Sequence, residues 1–442
     1  MLQAQEIPTA PGRLPLLGHS HRITGDPREF VLSLARLGPI VRVYLGPQAS
    51  YLLTTPDLIR DVSLGRAGDF HRDTLREAIS ELVSGATNVL SGPEHDLRRR
   101  MIAPVFRQGP LTSYAQTVAS IADEWSASLV AGACPDIRPH VHELVMRTMF
   151  ATLFQADSDA ADDHINFIRT HIPWLLSEVI IRGSLPAPLR RLRVLSNRRF
   201  TSQSKQVRAA MRALVEQSRL GTDRPDMAST LLSHVDEDSG ATLDDDDVID
   251  ELLLALAAGI GSQSSTFSWL IYEIVRAPAI ASRVYEELDS VIGTGPIQPA
   301  QASSLPFLRK VLMETLRVWA PWITLLTADG PVRIGPTAFP DGTNIVFSPY
   351  LVHHQDRYFP DAQTFDPDRW DDDVDRQAMM PFGVGQRHCP GNNFALLSIT
   401  LAAAALFSRW RPQLPGDFRL KVVGRDFVLS PVRLPLLLTP AG

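Results

Sequence analysis

The sequence predicts a mainly α-helical protein with a small β region, on three observations. Val248 to Val275 is an apolar run too long for a strand. Phe394 to Phe407 is a second run, rich in Ala and Leu, that reads as a long buried helix. Strand signals are few: Ile40 to Leu45 and Tyr51 to Thr55 alternate or run apolar around Gly46-Pro47, as a β-hairpin does. With 442 residues, 44% of them hydrophobic, the chain can bury a sizeable core, and length alone suggests about three domains.

A net charge of −6 argues against the basic surface that nucleic acid requires. Two cysteines, Cys134 and Cys389, cannot form a disulfide framework and fit a reducing cytoplasm. The first residues, Met1 to Ser20, lack the charged-then-apolar pattern of a signal peptide and any apolar run near the roughly 18 residues of a membrane span. A soluble, cytoplasmic protein is expected.

Pro8, Pro11, Gly12, Pro15 and Gly18 make the opening an extended arm that leads to a short helix from Arg28 to Leu37. Ser91, followed three residues later by Glu94, marks a capping-box helix start. On that helix His95 and Arg99 share a face, two donors suited to a carboxylate, while Arg98, Arg100 and Arg107 are expected to point outward. Leu111 to Arg169 reads as helix after helix, with Cys134 in a Gly-Ala-Cys-Pro turn. Ile172 to Ile181 is apolar, residues 183–188 break it, and Arg190, Arg191, Arg193, Arg198 and Arg199 read as a solvated face. Asp244 to Asp247 suit a helix N-terminus electrostatically. Gly259, Gly261 and the short polar residues after them interrupt the long apolar run, where a local widening is expected.

Pro381 to Gly391 packs one thiol, one cation and three glycines into a Pro-bounded loop just before the second long helix. A thiol at a helix entrance, with Arg387 nearby, should ionise easily and so serve as a metal ligand. The order Phe382-Gly383-x-Gly385-x-Arg387-x-Cys389-x-Gly391 resembles the haem-binding loop of the cytochrome P450 superfamily. The resemblance spans nearly the whole chain and implies one mostly helical domain, residues 1–442, carrying haem b on Cys389.

Further roles follow from that resemblance. Phe382, Gly383, Gly385 and Gly391 would lie against the haem, and His95, Arg99 and Arg387 would hold its propionates, with Thr327 where the family often has an arginine. Glu314 and Arg317, an E-x-x-R pair, would join Arg369 in a buried triad that fixes the Cys389 loop. Residues 172–200 would form a movable roof, and Trp322, Ile323, Thr324, Leu325, Ala258 and Gly259 would line the substrate pocket beside a closing hairpin near Phe427 to Pro431. The family's acid-alcohol pair falls either on Gly261-Ser262 or, shifted by two, on Gln263-Ser264; neither register supplies a carboxylate. Proton delivery is therefore expected from Ser262, water, Gln263 or the substrate.

His353-His354 resembles a zinc half-site only superficially, because adjacent residues point apart in a strand. No flavin or nicotinamide motif is visible, so a separate ferredoxin and its reductase are implied as electron donors. The resemblance implies a monomeric monooxygenase of secondary metabolism that acts on a small lipophilic natural product, a terpenoid first. The alternatives are a ring-forming, isomerising or peroxide-driven catalyst of the same fold, and a non-catalytic haem sensor.

Overall fold

The computed structural model describes residues 7–65, 67–71, 78–154, 159–184, 194–220, 226–293, 295–372, 374–425 and 427–441. Its axis is a central helix, Asp245–Arg276, capped by the Asp244 carboxylate, which accepts the Asp247 N–H at 2.8 Å. The helix is α-helical throughout. The expected widening is absent: the Ser262 hydroxyl bonds back to the Ala258 carbonyl at 2.8 Å, and the ladder stays α-helical despite that bond.

Helices Gln108–Ser128, Arg138–Leu153, Pro306–Val318 and Asn392–Arg409 share one apolar core with the central helix. Phe267 of the central helix meets Trp125 there, ring centroids 5.9 Å apart. Two long helices, Asp159–Ser184 and Val194–Leu220, pack on each other and carry the described residues of the stretch expected to form the roof. Arg182 stacks on Phe200 at 4.1 Å and Arg199 on Trp174 at 4.4 Å. Arg198 and Arg199 are exposed, as expected, and Arg190, Arg191 and Arg193 lie outside the described residues.

The small β region centres on a five-stranded sheet ordered Ile40–Leu45, Gln48–Leu53, Asn344–Phe347, Thr324–Ala328 and Phe70–His71. The predicted hairpin is present, and its second strand starts at Gln48 because Gly46, at φ +62°, turns the chain within two residues. The opening arm joins the sheet edge through Arg42, whose N–H donates to the Pro8 carbonyl at 2.8 Å. Cys134 does not sit in a simple turn. It ends a short strand, Gly132–Cys134, paired with Leu436–Pro440. Among the described residues no helix is long and apolar enough to cross a membrane.

Arg98 corrects the outward placement read from sequence. Its side chain is largely buried, pairing with Asp247 and approaching Glu251 at 3.6 Å. Arg100 is half-exposed and bonds Asp236 at 3.2 Å, while Arg107 is exposed. The acids at the start of the central helix thus do more than complement its dipole: Asp246 takes Arg208 at 2.9 Å and Arg212 at 2.6 Å.

Candidate active site

The Cys389 loop is shaped by two left-handed glycines, Gly383 at φ +74° and Gly385 at φ +73°. A side chain on Gly385 would collide with the Ser63 carbonyl, so only glycine lets the loop lie against that backbone. The Cys389 N–H donates to the Phe382 carbonyl at 2.8 Å and folds the loop on itself. Residues 381–392 are all at least partly accessible, although the helix that follows is mostly buried.

Burial pushes the Cys389 thiol up, against the Gly391 N–H and the Arg99 charge, which pull it down. The sequence reading assigned that second influence to Arg387. In the fold Arg387 instead reaches back to the start of helix Gly92–Ile102, donating to the Leu90 carbonyl at 3.0 Å and the Ser91 hydroxyl at 3.3 Å. Ser91 therefore serves as an acceptor for Arg387 and makes no side-chain cap.

His95 and Arg99 share a face of that helix. His95 is buried with Nδ1 on the Asp96 carboxylate at 3.1 Å. Burial, ahead of every charge, lowers the pKa of both His95 and Arg99. Arg99 is half-buried and bonds to no acceptor among the described residues. A partly buried, unpartnered guanidinium calls for an anion from outside the chain. One thiol ligand with such a cation beside it fits an iron porphyrin, whose metal takes the sulfur and whose carboxylates take the cation.

The central helix is partly accessible along its middle turns. Leu254, Ala255, Ala258, Gly261 and Ser262 are open to differing degrees, at the spacing of a single helix face. Gln263 and Gly259 turn elsewhere. The Gln263 amide is buried on the Met149 sulfur at 3.4 Å, and a Cβ on Gly259 would press on the same methionine. Ile323, Thr324 and Leu325 are partly accessible, whereas Trp322 is buried with Phe30, Val31 and Leu34, its backbone N–H donating to the Phe427 carbonyl at 3.1 Å. Phe427 itself is exposed beside the predicted hairpin, Val422–Arg425 with Val428–Pro431. Thr327 bonds Asn344 at 3.1 Å.

Glu314 and Arg317 are fully buried and joined at both ends, at 2.7 and 2.9 Å. Arg369 approaches the same carboxylate at 3.4 Å, and its other donors reach the carbonyls of Pro360, Asp361 and Thr364. Arg317 also donates to the His353 and Ala362 carbonyls, each at 2.8 Å. One carboxylate thus faces two guanidiniums, and the donors left over end on backbone carbonyls, so each buried group is hydrogen-bonded although the cluster keeps one net positive charge.

Sequence reasoning missed a strap formed by residues 81–90. Glu81 takes bonds from both roof helices, through Arg182 at 3.0 Å and Thr201. Asp250, on the central helix, accepts the Ser84 and Gly85 N–H groups at 3.0 and 2.6 Å and also Arg208. Glu251 accepts the Thr87 N–H at 2.7 Å and its hydroxyl at 2.8 Å. The two acids were legible as residues, but their partners in the strap lie more than a hundred positions away.

Burial pushes Glu251 up from 4.5 to about 7, against the Thr87 bonds and Arg98. Between those values the folded chain holds a proton that the unfolded chain releases, so stability falls as pH rises through that window. The shift corresponds to about 3 kcal/mol. Glu251→Gln keeps an acceptor for Thr87 and removes the titration. Urea unfolding of the variant is expected to lose this part of the pH slope; an unchanged slope would assign it to other groups.

A thiol presented by a glycine-turned loop, beside a cation with no anion among the described residues, is suited to a cofactor that takes a sulfur ligand. The sequence matches the Cytochrome P450 family over residues 8–437. It is 32% identical over 418 residues to cyclooctat-9-en-7-ol 5-monooxygenase of Streptomyces melanosporofaciens, covering 92% of this chain and 90% of that protein. It is 31% identical over 438 residues to pentalenene oxygenase of Streptomyces avermitilis, covering 98% and 97%. The chain belongs to the cytochrome P450 family and is an oxidoreductase of its monooxygenase class, with haem iron as cofactor.

Proposed function

We propose that the protein inserts one oxygen atom of O2 into a small cyclic terpenoid in secondary metabolism, with Cys389 as the ligand of haem b. The observation that carries this reading is the accessible strip Leu254, Ala255, Ala258 and Gly261, small and apolar, on a central helix of a chain that also presents an accessible thiol. The two relatives, which act by name on cyclooctat-9-en-7-ol and pentalenene, support a cyclic hydrocarbon skeleton. Bound on Cys389, the haem iron supplies the activation of dioxygen.

The protein's own residues bind, orient and hold protons. Arg99 and His95 take the porphyrin carboxylates, and Arg387 braces the loop against the helix that carries them. Phe382 would lie against the ring and Gly383 and Gly391 would let backbone approach it, while Gly385 seats the loop on the Ser63 carbonyl and Glu314, Arg317 and Arg369 hold the loop's support. Ile323, Thr324 and Leu325 line the substrate space with Ala258, while Trp322 backs them. Ser262 is the proton-holding group that the central helix offers there; its hydroxyl rests on the Ala258 carbonyl and can rotate to an incoming water. The chain works as a single domain, 1–442, a monomer in the cytoplasm, and takes electrons from a ferredoxin and its reductase.

Titration with cyclic terpenoids tests the reading. A low-spin to high-spin shift of the haem absorption, followed by a hydroxylated product with ferredoxin, reductase and NAD(P)H, is expected; haem binding without turnover under any electron donor would indicate a sensor. Because neither register supplies an acid, ring formation or isomerisation is the second reading, and it would give a product with no added oxygen. Ser262→Ala is expected to raise hydrogen peroxide released per NAD(P)H severalfold, and unchanged coupling would remove Ser262 from proton delivery.

A further inference from the structure

Among the described residues no hydrogen bond joins the buried triad directly to the Cys389 loop, yet one side chain spans the gap between them. His353 ends a short helix, Pro349–His353, and is fully buried with its ring against Phe359, centroids 5.7 Å apart. Its Nε2 lies 3.0 Å from the Met380 N–H. That amide can only donate, so Nε2 is the unprotonated nitrogen and the proton sits on Nδ1. Nδ1 is 3.1 Å from the Arg317 carbonyl and donates to it. Arg317 returns a bond from its guanidinium to the His353 carbonyl at 2.8 Å, so the two residues grip each other through side chain and backbone.

We infer that His353 is the positioning residue that transmits the Glu314-Arg317-Arg369 cluster to the Cys389 loop, by fixing the Met380 amide from which that loop departs. From Met380 the loop closes in two steps: the Gly383 N–H donates to the Met380 carbonyl at 3.1 Å, and the Cys389 N–H donates to the Phe382 carbonyl at 2.8 Å. Released from His353, Met380 would be free to shift and the sulfur's placement would loosen with it. Burial, chiefly, pushes the His353 pKa down to about 3, so the imidazole stays neutral and this tautomer holds through neutral pH.

The inference rests on Cys389 being the haem ligand, and two replacements separate its parts. H353Q places an amide oxygen near the position of Nε2 and can still accept the Met380 N–H. H353N places its amide near Nδ1, keeping the Arg317 bond and dropping Met380. Both holoproteins are compared with wild type by thermal midpoint and by the ferrous carbon monoxide spectrum, which distinguishes thiolate from neutral thiol ligation. We expect H353Q to keep the red-shifted thiolate band and H353N to convert most of it to the thiol form, with similar thermal midpoints.

A thiolate band fully retained in H353N, or lost equally in both variants together with an equal fall in melting temperature, would overturn the assignment. Hydrogen exchange on the wild-type holoprotein tests it without any variant. The Met380 amide should be strongly protected, and exchange as fast as an unbonded loop amide would also overturn it. Absence of the red-shifted band in wild type itself would count against Cys389 ligation, a separate failure.

Discussion

Arg317→Ala should give a protein destabilised by about 3–5 kcal/mol that does not retain haem. Removal of the guanidinium leaves the Glu314 carboxylate buried, with Arg369 at 3.4 Å as its one remaining ion-pair partner. It also strips donors from the carbonyls of His353, Ala362 and Thr364. Three segments therefore lose an anchor together, which is why the effect exceeds that of an exposed helix pair, worth only about 0.3–0.5 kcal/mol. Urea unfolding and the haem-to-protein absorbance ratio measure it. A folded, haem-replete variant would show that the cluster is not needed to hold the loop.

Cys389→Ser should abolish the red-shifted carbon monoxide band and oxygenation together, while leaving the fold intact. A hydroxyl fills the same space and can keep the bond from the Gly391 N–H, but it does not ionise near neutral pH and donates far less electron density to iron. Circular dichroism is expected to match wild type. A variant that kept the band would mean that another residue ligates the metal.

The long elements were legible because their signals are local. The apolar run from Val248 and the Ala-rich run from Phe394 became helices Asp245–Arg276 and Asn392–Arg409 with few boundary changes. Glu314 and Arg317 were legible as a pair by spacing alone, and the resemblance added their burial. What could not be read is set by contacts between distant parts of the chain. Arg98 turned inward because Asp247 and Glu251 face it from the central helix. Arg387 spends its charge on Leu90 and Ser91, leaving Arg99 as the cation that acts on the sulfur. His353 seemed unremarkable beside His354, since neither has a patterned partner in sequence; only folding brings Met380 to its ring.

The strap from Glu81 to Leu90 has a mechanical consequence. Its first residues grip both helices of the ceiling, its middle is tied to the long axial rod by Asp250 and Glu251, and its end is held by Arg387. A guest that lifts the ceiling must therefore tug a belt whose far buckle is Arg387 of the sulfur-bearing loop, so arrival overhead and events below are joined through the nine peptide bonds from residue 81 to residue 90.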